Sequence, residues 1–374
     1  MAEQLRILGV GNAKSISVIR WTRRLQERGH HVSLISSKFS TNPGELDGIP
    51  VYDVNKLSLT TRTPGLRGRA IPAAIAKLAD ELGYDIVHAH YTLPYGWWAG
   101  LAKLHPLVMS PWGTDILIDS KKEPGRSRVR TALEAADGYV INSEANRAAT
   151  LEFGVPEEKM RKIIWYAEPH RFSPENRDPK VLEELGFPPD SLLILSLRNF
   201  RPDTNLDVIV RAFAQVHARE PRARLLLGAR GGPLRDQVEA VIDELGVRDA
   251  LRIKFISQED LPRYVASGDV LVQMTNSDST PGSLLEAMGS GLPAICGDAA
   301  SVEEWIPNGE GGIVVPARDA DALAEALVTL LQDDALRKQY GDRNRRTIEE
   351  VIGDPGELLE RFYLEVLGQM KGGR

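Results

Sequence analysis

The sequence predicts an α/β protein made of two Rossmann-like domains, each built on a parallel sheet, that face a cleft. First, 374 residues exceed the size at which one hydrophobic core keeps growing, so two domains are expected. Second, short apolar runs alternate with segments of helical apolar spacing, which is typical of parallel sheets covered by helices. Third, the strand, loop, helix, strand order that begins at Leu5 recurs at Leu192, half a chain length later.

The first half opens with an apolar run that ends at Gly9 and Gly11. Apolar residues then recur at helical spacing, at Val18, Trp21 and Leu25, so a helix is predicted between the first two strands. The strands predicted in this half are 5–10, 32–35, 86–89, 107–110 and 138–142.

The second half repeats this order, with a helix predicted from the spacing of Leu206, Ile209 and Phe213. Its predicted strands are 192–197, 223–227, 252–256, 270–274, 293–296 and 312–315. Parallel sheets bind ligands outside the carboxyl ends of their strands. Functional residues are therefore expected in the loops after Val10, Ala89, Ser110, Leu197, Ile256 and Met274.

The domain boundary is predicted after Glu168, because residues 169–189 are rich in proline and charge and have little apolar periodicity. The expected domains are therefore 1–168 and 169–355. We expect the last segment, 356–374, to form a helix that packs back on the first domain.

Charge is distributed unevenly along the chain. The total is −6, but residues 1–168 hold 22 Lys and Arg against 18 Asp and Glu, or +4, which leaves −10 for the remainder. Five basic residues and one acid lie between Lys121 and Arg130. Such a run is either a solvated face or a surface that attracts an anionic acceptor or lipid, which would give peripheral membrane contact. The negative second half argues against nucleic-acid binding.

The cellular compartment is predicted from two absences. The N-terminus lacks the pattern of a signal peptide, and no apolar run approaches the roughly 18 residues that span a bilayer. The single cysteine, Cys296, has no partner for an internal disulfide. A cytoplasmic location is therefore expected. Peripheral contact with the inner face of the membrane is the further possibility that the basic run raises.

The turn at Gly9 and Gly11 would let backbone amides approach a phosphate, or it simply closes a βα loop. A dinucleotide fingerprint would place a third glycine at Lys14 and an acid after the second strand, where Ser36 and Ser37 stand. A nicotinamide enzyme is therefore not expected.

The most informative segment is 277–293 (SDSTPGSLLEAMGSGLP), where a polar loop leads into a helix that opens near Pro281 and ends at Gly289 or Gly291. Amides at the start of this helix suit a diphosphate, and the carboxylates of Asp278 and Glu286 suit hydroxyl groups on either side. The pattern favours a nucleotide-sugar. The alternative is a capped helix with one exposed acid.

The same segment resembles the family 4 retaining glycosyltransferases of GT-B fold, whose motif is E-x7-E followed by A-M-x-x-G-x-P. Asp278 stands at the first carboxylate position here, and Glu286 at the second. The resemblance covers most of the chain, because R-G-H-x-V, G-T/S-D, G-P-L-R and G-x-x-V-P segments are matched at 28–32, 113–115, 232–235 and 312–316.

The resemblance implies roles for residues of the second, nucleotide-sugar-binding domain. Glu286 would hold the ribose hydroxyls, and Asp278 would hold the donor sugar. The sugar and phosphates would also contact the backbone at Pro281, Gly282, Ser283 and Leu284, while Ser257 would border the base and Gly11 would approach the donor from the first domain.

The family's diphosphate clamp is an arginine and a lysine in the loop after the first strand of this domain. Arg198 matches the arginine, but Thr204 stands at the lysine position. Arg201 is the predicted substitute, because a guanidinium can bind a phosphate with two hydrogen bonds.

The first, acceptor-binding domain also departs from the family. Trp112 stands where many members have a histidine, so Asp115, His90 and Asp278 are the predicted catalytic residues. Of the neighbouring pair His88 and His90, we expect one to pack and His90 to face the cleft. A packed core histidine is the alternative for His90.

The resemblance implies a retaining hexosyltransferase that takes a nucleotide diphosphate sugar, UDP-sugar favoured and GDP-sugar second, and needs no cofactor or metal. Asp319 and Asp321 have D-x-D spacing but match a capped helix start. The acceptor, a small molecule, a glycan or a lipid-linked glycan, is not identified by the sequence. The alternatives are a sugar-nucleotide 2-epimerase of the same fold and a donor-binding protein without transfer activity.

Overall fold

The computed structural model describes residues 4–38, 46–57, 67–164, 168–229, 231–276 and 280–372. The chain divides into two compact units. The N-terminal unit comprises Met1–Trp165 and Asp354–Arg374, and the C-terminal unit comprises Tyr166–Gly353. Each unit is an α/β unit with one parallel sheet, as predicted.

The sheet of the N-terminal unit has seven parallel strands in the order β3-β2-β1-β4-β5-β6-β7. The strands are β1 Arg6–Val10, β2 His31–Ser36, β3 Val51–Asp53, β4 Ile86–His90, β5 Leu107–Ser110, β6 Gly138–Ile141 and β7 Met160–Lys162. The five strands predicted from the sequence are all present. The two edge strands β3 and β7 were not predicted, because each has only three residues and no sustained apolar pattern.

The helices of this unit are α1 Ile16–Glu27, α2 Arg67–Leu82, α3 Trp97–Leu101, α4 Gly125–Glu134, α5 Glu144–Leu151 and α14 Pro355–Gly372. Helix α1 buries Val18, Trp21 and Leu25, the residues whose spacing predicted it. Helix α14 packs Phe362 and Tyr363 into the same cluster as Trp21. The C-terminal segment is thus part of this core.

The sheet of the C-terminal unit has six parallel strands in the order β10-β9-β8-β11-β12-β13. They are β8 Leu192–Ser196, β9 Ala223–Leu227, β10 Leu251–Ile253, β11 Val270–Gln273, β12 Ala294–Gly297 and β13 Gly312–Val315. The helices are α6 Lys180–Glu184, α7 Leu206–Arg219, α8 Arg235–Glu244, α9 Leu261–Ala266, α10 Gly282–Gly289, α11 Ala300–Glu303, α12 Ala320–Gln332 and α13 Asp334–Ile352.

Both sheets reverse their strand order next to the first strand of the unit. In the N-terminal unit the reversal lies between β1 and β4, and in the C-terminal unit between β8 and β11. Such a reversal opens a crevice at the carboxyl ends of the two central strands, where ligands of this fold class bind. The loops after these four strands are therefore the first places to search for function.

No helix in the described part of the chain combines the length and the apolar content needed to cross a membrane.

Candidate functional site

Helix α10 begins beside the strand-order reversal of the C-terminal unit. Its first intrahelical hydrogen bond runs from the Leu285 N–H to the Pro281 carbonyl at 3.1 Å. The amides of Gly282, Ser283 and Leu284 thus precede the helical ladder and lie at the positive end of the helix dipole. The helix ends at Gly289, as the sequence predicted.

The first turn of α10 is anchored to strand β11. The Ser283 hydroxyl donates a 2.8 Å hydrogen bond to Oε1 of the buried Gln273, the last residue of that strand. The Leu284 side chain is fully buried in the core. In this structure Ser283 and Leu284 therefore offer a ligand their backbone amides rather than their side chains.

Glu286 lies one helical turn after Gly282, on the same face of α10, and is only 7% exposed. The other buried residues of the helix are Leu, Ala, Met and Gly. A carboxylate in such surroundings loses hydration, and its position near the helix start suits a ligand that carries hydroxyl groups. Asp278, the other carboxylate of the motif, lies outside the described residues.

The loop after β8 carries the predicted diphosphate clamp. Arg198 is half-buried at its start, and Arg201 is exposed at its middle. The Arg201 guanidinium pairs with Asp203 through hydrogen bonds of 2.9 and 3.2 Å. A phosphate that binds Arg201 would have to compete with this carboxylate.

Thr204, at the position of the family's lysine, closes the same loop. Its side chain is buried, and its hydroxyl contacts the carbonyl oxygens of Asn199 at 2.9 Å and Arg201 at 2.8 Å. The Thr204 side chain therefore binds the backbone of its own loop, at the position where the family has a lysine.

Ser257, predicted to border the base, bonds to Asp260, the residue that directly precedes α9. Its hydroxyl donates to Asp260 at 2.8 Å and accepts from the Asp260 N–H at 3.0 Å. The first of these bonds is the main reason that the pKa of Asp260 lies below its ordinary value. The neighbouring Phe255 ring is half exposed.

In the N-terminal unit, Gly11 follows β1 and its N–H donates to the Ile35 carbonyl at 2.9 Å. A Cβ atom at this position would lie 3.2 Å from Cβ of His90 and 3.3 Å from the Val18 side chain. Glycine is thus explained by close packing between the ends of β1 and β4.

His88 and His90 lie on the same face of β4, because residues two apart on a strand share a face. Their rings stack with centroids 4.3 Å apart. His88 contacts the Tyr363 hydroxyl at 2.5 Å and the Ser110 hydroxyl at 2.6 Å. The expectation that only one of the pair packs is therefore wrong, since both rings are buried.

Neither ring nitrogen of His90 has a hydrogen-bond partner among the described residues. Trp21 and Trp112 pack edge-on against the ring, with centroids 4.2 and 5.5 Å away. Burial lowers the pKa of His90 to about 3, so the imidazole is neutral near pH 7. His90 is enclosed in this structure, which agrees with the alternative of a packed histidine.

The buried histidines predict acid sensitivity. Between pH 6.5 and about 3 the unfolded chain binds a proton at position 90 that the folded chain does not, so stability falls as the pH falls through this window. Each such histidine contributes a slope of at most about 1.4 kcal/mol per pH unit. His90→Phe should flatten the decline in melting temperature measured from pH 6.5 to pH 5. A variant that retains the full wild-type decline would contradict this assignment.

Asp115 is fully buried beneath the loops that follow β4 and β5. Its carboxylate accepts from the N–H groups of Thr92 at 2.6 Å, Gly113 at 2.8 Å and Trp112 at 3.1 Å. Burial raises the pKa of Asp115, and these amide donors partly offset the shift. The carboxylate thus joins the loops after β4 and β5, and its predicted contact with a donor sugar stays a prediction.

A second feature of the N-terminal unit is a basic strip formed by Lys121, Lys122, Arg126, Arg128 and Arg130. All five side chains are exposed, and none forms an ion pair within the described ranges. The guanidinium of Arg126 lies over the Phe153 ring, and that of Arg128 over the Trp97 ring. The strip begins in the segment between β5 and α4 and continues along α4.

Among the described residues, no group of three or more His, Cys, Asp or Glu side chains is placed to hold a metal ion. The D-x-D pair begins a helix, because Asp319 accepts from the N–H groups of Asp321 and Ala322.

Two family models match the chain. The model described as "Glycosyl transferases group 1" matches residues 178–347, and the model described as "Glycosyl transferase 4-like" matches residues 6–143. Together they cover most of both units.

Curated relatives match over nearly the full length. N-acetyl-alpha-D-glucosaminyl L-malate synthase of Bacillus anthracis is 25% identical over 94% of this chain and 93% of its own. D-inositol 3-phosphate glycosyltransferase of Kribbella flavida is 24% identical over 95% of this chain and 91% of its own.

Solved structures share the fold at low identity. Anabaena HepE in complex with UDP-glucose superimposes with a TM-score of 0.79 at 18% identity, and covers 98% of this chain and 100% of its own. The sucrose-phosphate synthase of Thermosynechococcus elongatus gives a TM-score of 0.76 at 19% identity over 99% of both chains. The predicted class of two Rossmann-like domains is confirmed.

Proposed function

Because the chain belongs to the group 1 glycosyltransferases, we propose that it transfers a sugar, with retention, from a nucleotide diphosphate sugar bound by the C-terminal unit. The observation that carries the proposal is the start of helix α10. The amides of its first turn, which precede the helical ladder, and the buried Glu286 carboxylate lie together at the strand-order reversal.

The charge of each part of the donor determines which of these groups would bind it. The diphosphate is anionic, so it belongs at the amides of Gly282, Ser283 and Leu284 and beside Arg198. Ribose hydroxyls donate hydrogen bonds to the Glu286 carboxylate. These groups are fixed before the donor arrives, so little reorganisation is needed as charge develops on the leaving diphosphate.

UDP is the favoured nucleotide, with GDP second. Structures of the same fold are described as complexes of Anabaena HepE with UDP and with UDP-glucose, which supports a uridine nucleotide for this chain. Retention follows the family resemblance, in which the departing phosphate acts as base. Under this proposal the protein positions the reactants and offsets charge, without a metal ion.

We infer that the acceptor is a small anionic molecule held by the N-terminal unit. Two relatives are named for products or substrates that carry a carboxylate or a phosphate, namely L-malate and D-inositol 3-phosphate. The basic strip supplies exposed cations, which form no ion pair with the described residues, in the unit that would receive such an acceptor. Arg126 is the strip residue at the first turn of α4, where an anion also benefits from the helix dipole.

Arg126→Ala should raise the acceptor KM about tenfold, because a charge-assisted hydrogen bond to an anion is lost, and should leave the donor KM unchanged. Arg147→Ala is the matched control, since Arg147 in the same unit is already paired with Glu144 and Glu157. L-malate and inositol 3-phosphate are the acceptors to assay. Binding of the strip to anionic vesicles, with no change in acceptor KM, would replace this assignment with a lipid surface.

The proposed transfer is tested with a panel of UDP-, GDP- and ADP-sugars, in the presence of EDTA and each anionic acceptor. Release of nucleoside diphosphate from one donor is the expected result. A donor that raises the melting temperature without turnover would favour a donor-binding protein, and a product epimerised at C2 would favour the epimerase. No binding and no turnover with any donor would overturn the proposal.

A further inference from the structure

Asn205 holds an unusual place in the C-terminal unit. It directly precedes helix α7 and adopts left-handed backbone angles of φ 47° and ψ 43°, which few residues other than glycine, asparagine and aspartate adopt readily. It follows Thr204, the residue at the family's lysine position. Its side chain is buried and makes no capping bond to α7, so it has another role.

The Asn205 amide bonds to two other loops at the carboxyl edge of the sheet. Nδ2 donates to the carbonyl oxygens of Met274 at 2.7 Å and Ala317 at 3.1 Å, and to Oδ1 of Asn276 at 2.8 Å. These acceptors follow β11 and β13. A second bond joins the same loops, because the Asn276 N–H donates to the Asp203 carbonyl at 3.0 Å.

The network extends to the loop after β12. The Ala317 N–H donates to Asp298 at 3.0 Å, so the loops after β8, β11, β12 and β13 are tied in series. Asn205 is the residue at which three of them meet.

These loops carry the two halves of the proposed donor site. The loop after β8 contains Arg198, and the loop after β11 leads into α10. At the α10 end of the β11–α10 connection, Ser283 bonds to Gln273 at 2.8 Å. At the β11 end, Asn205 bonds to the Met274 carbonyl. A shift of one loop against the other would separate the arginine from the helix amides.

We propose that Asn205 is a positioning residue for the nucleotide-sugar, an inference that rests on the proposed function. Its amide keeps the arginine-bearing loop in register with the start of α10, so that both contact one diphosphate. Where the family has a lysine that binds the phosphate directly, this chain uses a buried Thr204 and Asn205 to fix the surrounding backbone.

The test compares Asn205→Asp with Asn344→Asp. Both changes keep the shape of the side chain, remove its N–H donors and place a carboxylate against carbonyl oxygens. Asn344 is a matched control, because its buried amide also bonds two carbonyls, of Leu292 at 2.8 Å and Gly311 at 2.7 Å. Those residues precede β12 and β13, at the opposite edge of the same sheet.

Asn205→Asp should raise the donor KM and the Kd for UDP about tenfold, with a smaller change in kcat. Asn344→Asp should lower the melting temperature and leave the donor KM unchanged. If Asn205→Asp does not fold, Asn205→Gly keeps the left-handed backbone, removes the amide and should give the same rise in Kd.

An unchanged donor KM in both Asn205 variants would overturn the inference while the wild type still turns the donor over. An equal rise in KM for Asn344→Asp would also overturn it, because the effect would then be general destabilisation. If the wild type binds none of UDP, GDP and ADP and turns over none of their sugars, the proposed function is overturned instead, and this inference with it.

Discussion

Glu286→Ala is expected to lower kcat/KM for the nucleotide-sugar at least about a hundredfold. The reason is the loss of two charge-assisted hydrogen bonds to ribose, each worth roughly 1.5–3 kcal/mol. The measurement is the initial rate of nucleoside diphosphate release.

Glu286→Gln is the matched control. It keeps the shape of the side chain and one oxygen acceptor but loses the charge, so a loss of about tenfold is expected. Equal kcat/KM values in the wild type and both variants would show that the carboxylate does not bind the donor.

Asp115→Asn is expected to reduce both stability and kcat. Both oxygens of the buried carboxylate accept backbone N–H groups, and an amide would turn one of these contacts into donor against donor. Such a buried, unsatisfied donor costs roughly 1–3 kcal/mol, and the joined loops after β4 and β5 would loosen. We expect a lower melting temperature and a kcat reduced about tenfold or more, with a smaller change in donor KM.

Asp137→Asn separates the two effects. Asp137 also accepts a backbone N–H, that of Leu107 at 2.8 Å, but does so at the opposite end of β5. This variant should be destabilised with kcat unchanged. A wild-type kcat in Asp115→Asn would show that the order of the two loops does not matter for transfer.

The fold was predictable because its signals are long and redundant. Buried parallel strands such as β5 and β8 are apolar up to their last residue, and the spacing of apolar residues in α1 and α7 identifies the face that packs on the core. The edge strands β3 and β7 were missed because three residues, VYD in one and MRK in the other, are too few to show the apolar pattern of a strand.

The position of the candidate site was also predictable, since strand ends and the glycine- and proline-rich start of α10 can be recognised in the sequence. The partners of individual side chains were not. Ser257 bonds to Asp260, Ser283 bonds to Gln273, and Arg201 pairs with Asp203, all within ten residues in sequence. Such local bonds depend on loop backbone geometry, which apolar spacing and motif matching do not encode.

The role of Asn205 was not predictable either, because its partners are distant in sequence. The sequence marks it only as the residue after a missing lysine. Its role depends on the carbonyls of Met274 and Ala317, which are brought to it by the strand order of the sheet.

The most direct test of the central claim is a crystal structure of the protein with UDP, grown in the presence of EDTA. We expect the diphosphate at the amides of Gly282, Ser283 and Leu284, with the ribose hydroxyls on Glu286. UDP bound instead at the Gly9–Gly11 turn of the N-terminal unit, with α10 empty, would contradict it.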